Sequence, residues 1–128
     1  MDITLFYAGL LALWFLALSY RVVQKRGHGI SLGDGGDPGM LRRIRGHGNF
    51  AEYVPFILLM IGLLEAREFN PLLIHALGAT LLLARVLHGV SLSFTETWRF
   101  GRFYGTLLTF ILLALCGVLC LLQGYESF

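Results

Sequence analysis

Four long apolar stretches alternate with short polar segments along the 128-residue chain. The first, residues 3–20, and the fourth, residues 105–122, contain no charged residue, whereas the third, residues 71–92, carries one arginine and two histidines. About 20 apolar residues in a helix cross a hydrocarbon core of roughly 30 Å. These three stretches therefore predict transmembrane helices.

The second apolar stretch needs polar residues to reach across a membrane. Its uncharged part, residues 53–64, is too short, because 12 residues span only about 18 Å of helix. The helix must extend back towards Arg45, and its start is marked by Asp37, a capping residue, and by Pro38, which suits the first helical position. The pattern predicts a helix over residues 38–64.

The predicted fold class is an all-α membrane protein, a bundle of four transmembrane helices. Residues 1–128 form a single domain in this prediction, and residues 27–37 form a glycine-rich cytoplasmic loop. The predicted helices cover residues 3–20, 38–64, 71–92 and 103–122.

Arg45, Asn49 and Glu52 form a polar stripe on the second predicted helix. Their spacing of i, i+4 and i+7 places them within about 60° of one another. An ionised side chain at membrane depth costs about 2.5 to 3.5 kcal/mol and normally faces protein or a wet cavity. We therefore predict that Glu52 pairs with Arg85 on the third helix or with Arg45 on its own helix. A pair that merely fixes the helix register is the alternative.

Composition agrees with the membrane class, since 56% of the residues are hydrophobic and 14% are charged. A cleaved signal peptide would need a basic start and a small-residue cleavage site. Only Asp2 provides a charge ahead of the first apolar run, and no such site follows that run. The first helix is expected to remain in the mature protein.

Basic residues predict the orientation of the bundle. Those in the segments between the first two and the last two helices are Arg21, Lys25, Arg26, Arg42, Arg43, Arg45, Arg99 and Arg102, eight of the ten positive charges. The positive-inside rule places these segments in the cytoplasm and both termini on the other side. The net charge of +2 reflects this topology and does not indicate nucleic-acid binding.

Two further motifs carry no specific chemistry. Residues 27–39 contain six glycines, but no Gly-Lys-Ser/Thr follows and no strand precedes them, which favours a linker over a phosphate-binding loop. Asp34 and Asp37 are too sparse for a calcium loop. Cys116 and Cys120 lie one turn apart in an apolar helix, where packing is the expected role, and a metal site would need two more ligands.

Aromatic residues and two arginines, Arg99 and Arg102, precede the fourth apolar stretch. Such a mixture is typical of an interfacial belt. These arginines are nevertheless predicted on the same membrane side as the polar stripe, so cations would surround a pocket that opens to the cytoplasm. Arginines, an amide and one carboxylate beside apolar walls suit a small ligand with carboxylates and an ammonium group, such as glutathione.

The stretch RGHGNFAEYVP, residues 45–55, resembles the Arg-x-x-x-Asn-x-x-Glu-x-x-Pro pattern of the MAPEG family, the membrane-associated proteins in eicosanoid and glutathione metabolism. ARVLHGV, residues 84–90, and GRFYGTLLT, residues 101–109, are similar to stretches in the third and fourth helices of that family, the latter in its small bacterial members. The resemblance implies a homotrimer in the bacterial inner membrane that binds glutathione between neighbouring protomers.

The resemblance also implies roles for individual residues. Those expected to bind glutathione are Arg45, Asn49, Glu52, Tyr53, Arg85 and His88. Arg102 is the first candidate for stabilising the glutathione thiolate and Arg99 the second, because a short gap would change the alignment. Glutathione is the expected co-substrate, with no metal.

The activity implied is that of a glutathione transferase or peroxidase acting on a lipophilic electrophile or a lipid peroxide. A free thiol has a pKa of about 8.5, and lowering it by ~2 units needs only about 2.7 kcal/mol of thiolate stabilisation. Leu92 stands where several family members have a ligand-binding tyrosine, which argues against tight, eicosanoid-type substrate handling.

Two alternatives belong to other functional classes. A non-catalytic protein that binds glutathione or lipid would keep ligand affinity without turnover. A small multidrug transporter would also have four short helices and one intramembrane glutamate. In those transporters the glutamate lies in the first helix with few basic residues nearby, whereas Glu52 lies in the second helix beside Arg45 and Asn49.

Overall fold

A computed structural model describes residues 1–126, which form four α-helices joined by short segments. Their bounds are Asp2–Arg26 for α1, Pro38–Ala66 for α2, Pro71–Ser93 for α3 and Arg99–Tyr125 for α4. All four are long and apolar enough to cross a membrane. The predicted all-α fold with four membrane-spanning helices is confirmed.

Two helices are longer than the apolar runs that predicted them. Helix α1 continues past residue 20 to Arg26, and α4 begins at Arg99 rather than at residue 103. The last turn of α1 contains Lys25 and Arg26. The carboxyl end of a helix dipole stabilises positive charge, and long basic side chains can extend their charged groups to interfacial water. Hydropathy alone therefore underestimates these helices. As a result, Arg99 and Arg102 both lie on the first turn of α4.

The start of α2 follows the capping pattern in the sequence. One carboxylate oxygen of Asp37 accepts a hydrogen bond from the Met40 amide at 2.9 Å, and Pro38 occupies the first helical turn. The Lys25 ammonium lies 3.2 Å from the same carboxylate. The hydrogen bond from the Met40 amide is the main cause that holds the pKa of Asp37 below its ordinary value, and the hydrogen bond from Lys25 is the second. The predicted start of this helix is confirmed.

Helices α2 and α3 each pack against the other three helices. Buried apolar side chains from all four helices form the core, among them Leu11, Leu18, Ile57, Ile61, Ile74, Leu81 and Leu112. Large apolar side chains such as Leu13 and Phe110 remain exposed on α1 and α4. Such outward-facing residues suit contact with lipid or with another protein subunit.

Small residues allow α3 and α4 to approach closely. Gly101, Gly105 and Thr109 are buried along one face of α4 at four-residue spacing. A Cβ atom added at Gly105 would lie 2.7 Å from the Cβ of His88 and 2.8 Å from the Ala84 carbonyl oxygen. This small-xxx-small arrangement is a frequent helix contact in membranes. We refer to the contact as the α3–α4 seam, which the pattern of apolar runs did not predict.

Glu65, near the end of α2, caps the start of α1. Its carboxylate accepts hydrogen bonds from the Ile3 amide at 3.0 Å, from the Thr4 amide at 2.8 Å and from the Thr4 hydroxyl. The first amides of a helix lack partners within the helix itself. Glu65 therefore satisfies the amino end of α1 and joins two helix ends at one end of the bundle.

The basic segments meet at the opposite end. Arg21 of α1 donates hydrogen bonds to the Ser93 carbonyl at 2.6 and 3.2 Å, and Arg43 of α2 donates to the Arg21 carbonyl at 2.7 Å. The end of α1, the start of α2 and the end of α3 are thus joined. The basic segments between the helices thus lie at one end of the bundle, as predicted. That this cationic end faces the cytoplasm stays a prediction.

Candidate functional site

The polar stripe of α2 lies on the outer face of the helix. Arg45 and Glu52 are exposed, and Asn49 between them is half-buried, donating a hydrogen bond to the Arg45 carbonyl at 3.1 Å. Gly46 and Phe50 face the bundle interior instead. The helical periodicity therefore placed the three polar side chains correctly on one face.

The predicted partner of Glu52 was wrong. Within residues 1–126 its carboxylate forms no ion pair with Arg85 or Arg45. Arg85 points from α3 into the α3–α4 seam, whereas Glu52 points outwards, with one oxygen alongside Gly48. Arg45 is two helical turns away, about 10 Å along the axis. The stripe therefore presents a carboxylate and a guanidinium that the described protomer leaves unpaired.

Arg85 and His88 lie together behind the stripe, 2% and 4% exposed. One terminal nitrogen of Arg85 donates to the Thr109 hydroxyl at 3.2 Å, and the other lies 3.1 Å from Nδ1 of His88. Nε of Arg85 is buried without a hydrogen-bond partner in the described chain. These contacts give both residues a structural role in the α3–α4 seam. Their contact with glutathione stays a prediction.

Tyr53 connects the stripe to α4. Its ring centroid lies 5.9 Å from that of Phe110, and the side chain is half-buried. Phe110 lines an open groove of about 530 Å³ along α4. The other residues that line this groove are Arg99, Arg102, Phe103, Thr106 and Leu107. The groove thus has a cationic end and an apolar end, and Tyr53 lies beside the apolar one.

Arg99 and Arg102 also line a smaller cavity of about 190 Å³ that reaches Arg42 on α2. The Arg42 guanidinium lies 3.7 Å from the Glu96 carboxylate in the turn before α4. Both candidate thiolate-stabilising arginines are exposed and stand near the start of α2. The stripe and the groove flank each other on the surface of the described protomer and do not enclose a single pocket.

Leu92 and the two cysteines serve packing. Leu92 is 6% exposed and would contact a Cβ added at Gly46, so it fills the interface between α2 and α3. Cys116 is fully buried in the core, and Sγ of Cys120 lies 3.9 Å from the Met60 carbonyl. The predicted packing role of the cysteines is confirmed.

Comparison with known proteins gives one family. The model of the MAPEG family matches residues 4–122. Inner membrane protein YecN of Escherichia coli strain K12, and its counterpart in strain CFT073, are each 34% identical to the chain over 83 residues. The aligned region covers 64% of this chain and 63% of the length of either relative. No solved structure matches the chain.

Proposed function

The chain belongs to the MAPEG family, and we propose that it is a membrane-bound glutathione transferase or peroxidase. The observation that carries this proposal is the stripe on α2. Arg45 and Glu52 both match the family's pattern, and both are exposed. Glu52 has no ion-pair partner within the described protomer. Charges in a membrane helix need a partner, and a zwitterionic ligand supplies one.

Glutathione matches the stripe group by group. The Glu52 carboxylate suits the γ-glutamyl ammonium, and the Arg45 guanidinium suits a carboxylate of the tripeptide. Asn49 adds an amide that both donates and accepts hydrogen bonds. Tyr53 provides an aromatic wall at the edge facing α4. In this proposal Arg85 and His88 contribute from the seam behind the stripe.

We further propose a homotrimer with glutathione bound between neighbouring protomers. Leaving Glu52 against lipid would cost about 2.5 to 3.5 kcal/mol by insertion scales. A neighbouring protomer would cover the stripe and exclude lipid from it. The exposed apolar side chains of α1 and α4 provide surface for such contacts.

The proposed chemistry begins with glutathione as a thiolate. Arg102, or Arg99 in its place, stabilises the sulfur anion from the first turn of α4, where the helix dipole also favours negative charge. Attack on an electrophilic carbon forms an S–C bond and expels the leaving group. Attack on a lipid peroxide instead forms an S–O bond as the O–O bond breaks, which releases the alcohol and leaves glutathione sulfenic acid. A second glutathione thiol then attacks that sulfur, forms the disulfide and releases the oxygen as water.

The groove along α4 is the proposed site for the lipophilic substrate. Phe103, Leu107 and Phe110 offer it an apolar wall beside the arginines. By analogy with the YecN proteins, the chain is proposed to reside in the inner membrane. Its cationic end would face the cytoplasm, which supplies glutathione.

Titration of glutathione into the detergent-solubilised protein near neutral pH tests the proposal through thiolate absorbance. We expect a saturable thiolate signal in the wild type, lost in Arg102→Ala or in Arg99→Ala, whichever residue activates the thiol. Glu52→Gln and Arg45→Ala should each weaken glutathione binding about tenfold or more, the range for a lost charged hydrogen bond.

Glu68→Gln, an exposed acid in the turn after α2, is the matched control and should leave binding unchanged. Unchanged glutathione affinity in both Glu52→Gln and Arg45→Ala would exclude the site. Saturable binding without any thiolate signal would identify a non-catalytic binding protein instead.

A further inference from the structure

A second polar cavity, of about 170 Å³, lies at the cationic end between α1, α2 and the turn that follows α3. Four cationic side chains of the described chain line it, namely Arg21, Lys25, Arg42 and Arg43. We refer to it as the four-cation cavity. Neither Arg45 nor Glu52 lines it, although it shares Arg42, Leu92 and Glu96 with the cavity beside Arg99 and Arg102.

The carboxylates around the cavity do not balance its cations. Lys25 pairs with Asp37 at 3.2 Å and Arg42 with Glu96 at 3.7 Å, whereas Arg21 and Arg43 have no carboxylate within ion-pair distance among residues 1–126. Four cations against two carboxylates leave a surplus of two positive charges. The Glu96 side chain is 83% exposed, so it is free to turn away and release Arg42.

Two residues that line this cavity each have a buried polar atom without a hydrogen-bond partner in the described part of the chain. These atoms are the Ser93 hydroxyl oxygen and Nε of Arg42. Ser93 is only 4% exposed, and its carbonyl is already occupied by Arg21. Buried polar groups in proteins are nearly always paired, and an unpaired one is costly. A bound water would satisfy the hydroxyl but would not neutralise the surplus charge.

The start of α2 borders the cavity. Gly39, in the first turn of α2, lines the cavity, and its missing side chain leaves room there. The amino end of a helix carries partial positive charge. Asp37 caps this end through the Met40 amide and is the nearest opposing charge. The surplus cations and the unpaired donors therefore favour an anionic oxygen ligand.

We propose that the four-cation cavity binds a negatively charged phosphate group. Guanidinium groups bind phosphate oxygens through paired charged hydrogen bonds, and a serine hydroxyl donates a further one. Two sources share this chemistry, the headgroup of an anionic phospholipid and free inorganic phosphate. Basic pockets between transmembrane helices near the membrane surface commonly take lipid headgroups.

Binding to the purified full-length protein in neutral detergent tests the proposal. Native mass spectrometry would count bound phosphatidylglycerol, with phosphatidylcholine as the zwitterionic comparison, and equilibrium dialysis at fixed ionic strength would measure inorganic phosphate. Saturable binding of phosphatidylglycerol alone would assign the cavity to a lipid headgroup. Saturable binding of inorganic phosphate would assign it to a free anion.

In either case Arg42→Gln should weaken binding about tenfold, the range for one lost charged hydrogen bond. Arg26→Gln removes the same charge from the end of α1 outside the cavity and should change binding less than twofold. Glu96→Gln should strengthen binding, because it removes the carboxylate that competes for Arg42. An equal loss of affinity in Arg42→Gln and Arg26→Gln would mean that diffuse surface charge causes the binding, and would overturn the proposal. The absence of saturable binding of both phosphatidylglycerol and inorganic phosphate would overturn it too.

Ser93→Ala keeps every charge and tests the cavity if an arginine variant does not fold. It should weaken phosphate binding several-fold while leaving the ligand-free protein as stable as the wild type, since the hydroxyl it removes is unpaired. A variant that lost stability without ligand but kept full affinity would contradict the assignment of Ser93.

Discussion

At the scale of single residues, Arg85 is a charged side chain buried inside the bundle. It is almost fully buried, and no carboxylate of residues 1–126 lies within ion-pair distance of it. Burial of a charge is tolerated only when hydrogen bonds compensate. Those bonds come from Thr109 and His88, while Nε of Arg85 has no partner in the described chain.

Thr109→Val should therefore lower the free energy of unfolding by about 1 to 3 kcal/mol, since it leaves a buried donor of Arg85 unpaired at nearly constant side-chain volume. Thr109→Ser is the matched control, because it keeps the hydroxyl. Unfolding of both variants in mixed micelles, followed by circular dichroism, measures the difference. Equal stabilities of the valine and serine variants would rule out the hydroxyl as the cause.

The sequence predicted the stripe but not its pairing. Helical periodicity alone places Arg45, Asn49 and Glu52 on one face, since these positions depend only on α2. Whether Glu52 meets Arg85 depends on how α3 is rotated about its axis. That rotation is set by the contact of α3 with the glycines of α4, which hydropathy does not detect.

At the scale of helices, the contact between α3 and α4 depends on the absence of side chains at Gly101 and Gly105 of α4. At Gly101 an added Cβ would lie 2.9 Å from the Leu87 carbonyl oxygen, and Gly105 is equally close to the backbone of α3. Helices in a membrane gain little from apolar burial, so close backbone packing supplies much of their association. The spacing Gly-x-x-x-Gly-x-x-x-Thr was the available signal in the sequence.

Gly105→Ala should destabilise the bundle by about 1 to 3 kcal/mol, the usual cost of overpacking a close contact. Gly117→Ala lies on the same helix with nothing within 4 Å of the added Cβ, and should be neutral or slightly stabilising. Unfolding in mixed micelles compares the two variants. A Gly105→Ala protein as stable as the wild type would show that the two helices separate at little cost.

The start of α2 should depend on pH through Asp37. Its pKa is lowered in the folded protein, so the charged cap contributes stability above the ordinary value of 3.8, and that contribution is lost as the pH falls through the lowered pKa. Asp37→Asn keeps the capping oxygen without the charge. Wild type should therefore exceed this variant in stability at pH 7, and the gap should close in strong acid. A pH-independent gap would exclude the charge as its origin.

Helix starts with a capping side chain were more predictable than helix ends. Asp37 with Pro38 marked the start of α2 in the sequence, and Asn70 with Pro71 marks that of α3 in the same way, through a hydrogen bond from the Leu72 amide to the Asn70 side chain at 2.8 Å. The end of α1 lies among basic residues that lower hydropathy without breaking a helix. An apolar window therefore stops before the helix does.

At the scale of the whole molecule, charge is concentrated at one end of an apolar bundle. Arg21, Arg43 and the Ser93 carbonyl join α1, α2 and α3 there, while Glu65 joins α1 and α2 at the other end. Positive charge near helix ends opposes translocation across a membrane. The whole distribution predicts a cationic end in the cytoplasm and both termini outside.

Reporter fusions test this orientation. Alkaline phosphatase fused after residue 128 should be active, and green fluorescent protein at the same point should be dark, because the carboxyl end is predicted to lie outside the cytoplasm. The same reporters inserted in the loop at residues 27–37 should give the opposite pattern. An inactive phosphatase and a fluorescent green fluorescent protein at the carboxyl end would mean that the bundle has the reverse orientation.

The cap that Glu65 provides for α1 has a consequence for biosynthesis. The Ile3 and Thr4 amides emerge from the ribosome some 60 residues before their acceptor does. Until α2 has been made and inserted, water or lipid headgroups must accept the hydrogen bonds of those amides. Docking of the nascent first helix therefore waits for the second, and the two helices should leave the insertion machinery as a pair.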